Sequence, residues 1–204
     1  MSATCLTICQ LLVAVVAADW PEKDSDLHTL LRQHSPKYKA MSDAVQARQP
    51  YRFATTDVFL GNVRSEGKGL VIELNPKIAK DRRATILIWE MANAYQRDIF
   101  TEVHRRAVAG EITSKREYGL RMEMVEYDSH QHHLEVLQEL SRAGFHVAEN
   151  FLYLVSSKPG NLADYRIPSA HDYLDGNAKS GHTKHYEDWY ERIPRQGVGS
   201  SEKK

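Results

Sequence analysis

Glu123, Glu126, His130 and His133 fall at helical spacing within residues 115–142, so all four project from one stripe of one helix. A carboxylate with two imidazoles, Glu126 with His130 and His133, is a donor set suited to zinc or nickel. Imidazoles at i and i+3 share a metal only when a carboxylate from elsewhere closes the site. The stripe is therefore expected to face solvent or a neighbouring helix. The alternative is a metal-dependent hydrolase with its zinc on the 115–142 helix and Glu90 as base. His182 and His185 have similar spacing but sit in a loop region rich in Gly and Asn, and are expected at the surface. Seven of the ten histidines follow Tyr127.

The elements that position these groups follow from local pattern. Residues 20–48 are polar with Leu27, Leu30 and Leu31 on one helical stripe, interrupted at Pro36. From Tyr51 the chain turns aromatic and β-branched. Val58–Val63 and Leu70–Leu74 flank a Gly-bearing turn and read as a hairpin, stopped by Asn75-Pro76. A helix is then expected from about Arg83 to about Arg106, with Ile86, Leu87, Met91, Ala94 and Tyr95 on its apolar face. Ser114-Lys-Arg-Glu117 is a capping box, so a second long helix starts there and runs to Arg142, with Gly144 as its stop. A further run, helix or strand, covers Phe145 to Val155. The fold class is α+β, with a small, mostly antiparallel sheet packed on long helices.

The order of elements and two short motifs carry a resemblance. The apolar helix contains Trp89-Glu90-Met-Ala-Asn93, and the second long helix contains Glu123 and Glu126. Together with the preceding strand this resembles the zincin metallopeptidases, particularly the gluzincin-like branch, over about residues 55–140. In that family H-E-x-x-H places two imidazoles on one helical face to bind zinc. The Glu beside the first His is the general base, and a glutamate on a second helix is the third ligand. The resemblance implies that Glu90 matches the base and that Glu123 or Glu126 matches the third ligand. Trp89 and Asn93 stand where the family has its histidines. Indole offers only an N–H donor, and a neutral Asn is a poor zinc ligand. Trp89, Glu90, Asn93, Glu123 and Glu126 are thus expected to be vestigial, with no metal and no cofactor at that position. Zinc enters only under the relocated-site alternative. The expectation is an inactive zincin-like pseudoenzyme acting as a protein-binding module.

The C-terminal part is rich in aromatic residues. Tyr173, Tyr186, Trp189 and Tyr190 could form a binding surface for a protein partner or cover a small core. Bulk composition excludes other classes. Lys+Arg and Asp+Glu are both 27, so the basic excess of a nucleic-acid binder is missing. Both cysteines, Cys5 and Cys9, lie in the first ten residues, which rules out a thiolate site or disulfide framework in the body. Residues 1–18 are uncharged and end in Val16-Ala17-Ala18, as before a signal cleavage site, although no basic region precedes the apolar run. If they are a signal, the protein is secreted or periplasmic and would suit a secreted effector or an immunity-type role. If they are retained, it is cytoplasmic, and any membrane contact is through that segment. Residues 19–195 are expected to form one domain, and 196–204 a disordered tail.

Overall fold

The computed structural model describes residues 20–146, 155–156, 162 and 165–194. The apolar segment 1–18, the tail 196–204 and most of the run from Phe145 to Val155 lie outside the described residues. Two helices come first, α1 (Asp24–His34) and α2 (Pro36–Arg48). Pro36 does not end a helix but opens one. Ser35 is the cap, its hydroxyl accepting from the Tyr38 amide at 2.9 Å, and proline at the first helical position gives up only an amide that would lack a partner anyway. The Ser35 hydroxyl also donates to Glu139, tying this helix end to the far half of α5 (Lys115–Arg142).

Strands β1 (Tyr51–Thr55), β2 (Gly61–Glu66) and β3 (Gly69–Leu74) form a three-stranded sheet in the order β1-β3-β2. β2 and β3 are the expected antiparallel hairpin, but β1 pairs with β3 in parallel. The sheet is therefore mixed, not mostly antiparallel. The chain leaves β1, passes the place that β3 will fill, and returns through β3 between its two predecessors. The hairpin is also offset toward its turn. Arg64 and Glu66 belong to β2 because their charges pair across the sheet, Arg64 with Glu73 at 2.9 Å and Glu66 with Arg52 at 2.6 Å. Val58, Phe59 and Leu60 are left outside the strand and exposed.

The helix expected from Arg83 to Arg106 is two helices, α3 (Lys80–Tyr95) and α4 (Arg97–Val108). The break is at Gln96, whose ψ of 1° leaves the helical region. Neither Gly nor Pro marks it. The Gln96 side chain is buried, with its Nε2 3.2 Å from His132 Nε2 on α5. Helix α5 spans 28 residues, capped by Ser114 as the capping box requires, and ends before Gly144 at φ +87°. After the short pair β4 (Val155–Ser156) and β5 (Tyr165–Arg166) come α6 (Ala170–Ser180) and α7 (His182–Glu191), hinged at Gly181.

Among the described residues two apolar clusters form the interior. One joins α1, α2, the sheet, α3 and the C-terminal half of α5 through Val136, Leu137 and Leu140. The other joins α4, α7 and the N-terminal half of α5 through Tyr118, Met122 and Val125. Between these halves α5 carries Glu123, Glu126, Ser129, His130 and His133, so its polar residues sit at a seam between two dry regions. Among the described residues no helix is long and apolar enough to cross a membrane.

Candidate functional site

The seam opens into a cavity of about 460 Å³. Its walls come from β2 (Asn62, Val63), α3 (Glu90, Asn93), α4 (Arg97, His104), α5 (Glu126) and α7 (Tyr186, Trp189). Apolar periodicity on α3 buries Ile86, Leu87 and Met91 in the first cluster, which turns Glu90 and Asn93 toward the opening. Gly61 lets β2 lie directly over α3. A Cβ there would sit 2.4 Å from Ile86 Cγ2 and 2.9 Å from Glu90 Oε1.

Glu90 is 7% exposed, and among the described residues nothing donates a hydrogen bond to it. Burial, with the Glu126 carboxylate beside it, pushes its pKa up to about 8, so it carries its proton at neutral pH. Asn93 adds a buried Oδ1 that has no hydrogen-bond partner among the described residues. Arg97 brings a cation to the same walls, held by a 2.7 Å bond from its guanidinium to the Ser65 hydroxyl. His104 stands by Trp189, ring centroids 5.5 Å apart, with its Nδ1 3.2 Å from the Tyr118 hydroxyl.

The five positions of the H-E-x-x-H comparison do not converge on one point. Glu90, Asn93 and Glu126 share the cavity. Trp89 turns instead onto α5, with its ring 4.3 Å from that of His130 and 5.8 Å from that of His133. Both histidines are buried against neighbouring helices, His130 also against Tyr173 of α6, which is the second of the two placements expected for this stripe. Burial holds His130 down to about 4 and His133 down to about 3, so both are neutral. They do not gather with Glu126 into a ligand set.

A different group gathers. Glu123, fully buried, and Glu126 meet His182 from the first turn of α7, with one potential ligand atom from each lying within 4.8 Å of the others. His182 Nδ1 donates to Glu123 Oε1 at 2.9 Å and lies 3.8 Å from Glu126 Oε2. The hydrogen bond to Glu123 raises the His182 pKa above its ordinary 6.5, against its partial burial. Asn177 Nδ2 donates to Glu123 Oε2 at 2.5 Å, and the Tyr186 hydroxyl donates to Glu126 Oε1. Burial raises the pKa of Glu126, and burial followed by the charge of Glu126 raises that of Tyr186.

Of the aromatic residues named from sequence, Tyr173, Tyr186 and Tyr190 are buried, and Trp189 is 39% exposed. Tyr186 and Trp189 reach the cavity, while the Tyr190 hydroxyl donates to the Ile112 carbonyl at 2.8 Å within the second cluster. Helix α7 can lie this close to α5 because residue 119 is glycine. A Cβ there would come within 3.0 Å of Thr183 Cγ2 and 3.2 Å of Glu187 Cγ. His182, expected at the surface, is only half-exposed, and Arg97, His104 and Asn177 join the site without a signal of their own in the sequence. The one local signal was Gly181, which breaks the helical run and makes His182 the first residue of a helix returning along α5. No family model, curated protein or solved structure matches the chain.

Proposed function

We propose that the chain is a zincin-like pseudoenzyme whose cleft holds an extended segment of a protein partner without cleaving it. The order of strand, α3 and α5 supports the family comparison, as does the shared facing of Glu90, Asn93 and Glu126. The positions that would bind zinc in that family supply none of its imidazoles, and the Trp89 ring is engaged with His130 and His133.

One observation carries the binding role: a buried, protonated carboxyl with no hydrogen-bond partner among the described residues faces an open cavity beside an edge strand. A protonated Glu90 both donates and accepts, which matches a peptide group, and the orphan Oδ1 of Asn93 seeks a donor. β2 is the sheet edge on that side, so an extended chain has a backbone to pair with. The exposed Val58, Phe59 and Leu60 continue directly into β2 and give such a partner apolar surface.

Selection from a random peptide display library on the full chain tests this. The expected result is enrichment of extended sequences that bind intact, with or without added Zn2+, and whose affinity falls about tenfold for Glu90→Ala. Cleavage of the bound peptides would overturn the pseudoenzyme reading, and failure to enrich any sequence would overturn the binding role.

A further inference from the structure

We infer that Glu123, Glu126 and His182 form a binding site for one divalent transition-metal cation, of the Zn2+ class, at the junction of α5 and α7. The inference shares Glu123 and Glu126 with the zincin comparison but does not depend on it. It uses neither Trp89 nor Asn93, and its third ligand comes from a helix that the comparison does not include.

The geometry is that of a site already oriented. Each carboxylate has one oxygen held by a neighbour and one turned to His182. Asn177 takes Oε2 of Glu123 and leaves Oε1, while Tyr186 takes Oε1 of Glu126 and leaves Oε2. Ligating carboxylates are commonly fixed by this kind of outer hydrogen bond. The two remaining oxygens lie 2.9 and 3.8 Å from His182 Nδ1. Ligands held about 2.0–2.2 Å from a common zinc lie roughly 3–4 Å from one another, so only small movements are needed. The cation replaces the proton on His182 Nδ1, which now bridges to Glu123. Two carboxylates and one imidazole make a donor set of intermediate hardness, suited to Zn2+ or Mn2+.

A separate observation points to a positive ligand at this place. Glu90, nine-tenths buried and without a hydrogen-bond partner among the described residues, lies beside Glu126 on the same cavity wall. Glu126 thus has a carboxyl group on either side, Glu123 and the protonated Glu90, and His182 is the one basic side chain paired to this row in the described residues. Charge on the buried Glu123 and part-buried Glu126 is costly with His182 alone to compensate it, and a divalent cation supplies the rest. Because Glu126 belongs both to the trio and to the cavity lining, an occupied site places the cation at the cavity wall.

The test is calorimetric titration of Zn2+ into the chelator-treated full chain at neutral pH. The expected result is one saturable site. Affinity should fall at least a hundredfold for His182→Ala and for Glu123→Gln, and stay unchanged for His130→Gln. His182 is half-exposed, so its removal leaves the core packed, and a matching far-ultraviolet spectrum checks this. Absence of saturable binding overturns the inference, and so does binding that survives both His182→Ala and Glu123→Gln. Peptide selection on chelated protein reads the cleft separately, so either proposal can fail alone.

Discussion

The indole of Trp89 and the imidazole of His130 face each other across α3 and α5, ring centroids 4.3 Å apart and planes 32° from parallel. This contact occupies the side of α3 that, in a zincin, would turn an imidazole toward metal. It also keeps water away from His130, whose burial is the main reason that its pKa lies near 4. Trp89→Ala should therefore do two things together. Loss of the ring from a well-packed helix pair costs about 3 kcal/mol, and the His130 pKa moves back toward its ordinary 6.5 as water enters. Urea unfolding and NMR titration of the His130 ring measure the two effects. A stability loss with the His130 pKa still near 4 would show that other neighbours, not Trp89, exclude the water.

Stability of the metal-free protein should peak near pH 6.5. Burial holds His28 and His130 near 4 and His133 near 3, against an ordinary 6.5. Below 6.5 the unfolded chain takes up protons that the folded protein refuses, so stability climbs with pH through that window. Glu90 acts with the opposite sign. It keeps its proton up to about 8, whereas the unfolded chain ionises at 4.5, so it lowers stability as pH rises between those values. Glu126 and Asp24, also raised by burial, add to that decline, and the lowered His132 adds to the rise. Above 6.5 the buried histidines no longer contribute, while Glu90 and the raised His182 still do, so stability falls. Each proton of difference is worth about 1.4 kcal/mol per pH unit. Glu90→Gln should flatten the descending limb in urea midpoints measured from pH 5 to 9, and an unchanged limb would sink this assignment.

Local chemistry explains which parts could be read in advance. Ser114 and Glu117 announce the start of α5 because a cap is a contact between residues three apart, and Gly144 announces its end for the same reason. The β2–β3 hairpin is legible through its turn. The position of β1 is not, since parallel pairing of Tyr51 with Leu70 depends on which side of β3 is free when the sheet assembles. Gln96 breaks a helix without Gly or Pro, through a side chain buried against His132 on another helix. The candidate site divides in the same way. Glu123 and Glu126 could be named from spacing on their own helix, and Glu90 and Asn93 through the resemblance to the zincin motif. The pairing of Glu123 with His182 spans 59 residues and exists only because α7 folds back along Gly119.

Gly61→Ala should damage the cavity and the fold together. The added methyl lands on Ile86 Cγ2 in a packed interface, and overpacking of this kind costs about 1–3 kcal/mol. To accommodate it, β2 must move away from α3, which widens the gap over Glu90. The expected signature is a lower thermal midpoint together with a fall in the Glu90 pKa toward the ordinary carboxylate range, as solvent reaches it. Carbon-detected NMR of the Glu90 carboxyl reads the second effect directly.

Ser35→Ala removes two interactions with one atom. The hydroxyl accepts from the Tyr38 amide to cap α2 and donates to Glu139, which also accepts the Lys37 amide at 3.0 Å. The residue is fully buried, so the Tyr38 amide and one Glu139 contact are left unmade in a dry place. The loss should be about 2 kcal/mol, above that of a solvent-exposed cap such as Ser114→Ala at about 1 kcal/mol. Paired urea curves for the two variants test the difference, and equal losses would mean that the Glu139 bond contributes nothing.

Asn93 sets stability against binding. Its Oδ1 is buried with no hydrogen-bond partner among the described residues, a cost of about 1–3 kcal/mol carried by the unliganded protein. Leucine has the same branched outline as asparagine, its extra bulk has the cavity to enter, and it has no polar atom to desolvate. Asn93→Leu should therefore raise the unfolding free energy of the unliganded chain by about 1 kcal/mol. The same change removes an acceptor from the cavity wall beside Glu90, so a peptide that uses it should bind at least tenfold more weakly. Denaturant curves give the first effect and peptide titration the second. A variant that is more stable and binds as well as the parent would show that Asn93 does not touch the ligand. One that is less stable would show that the amide is satisfied by water held in the cavity, and its orphan oxygen would then no longer support the peptide reading.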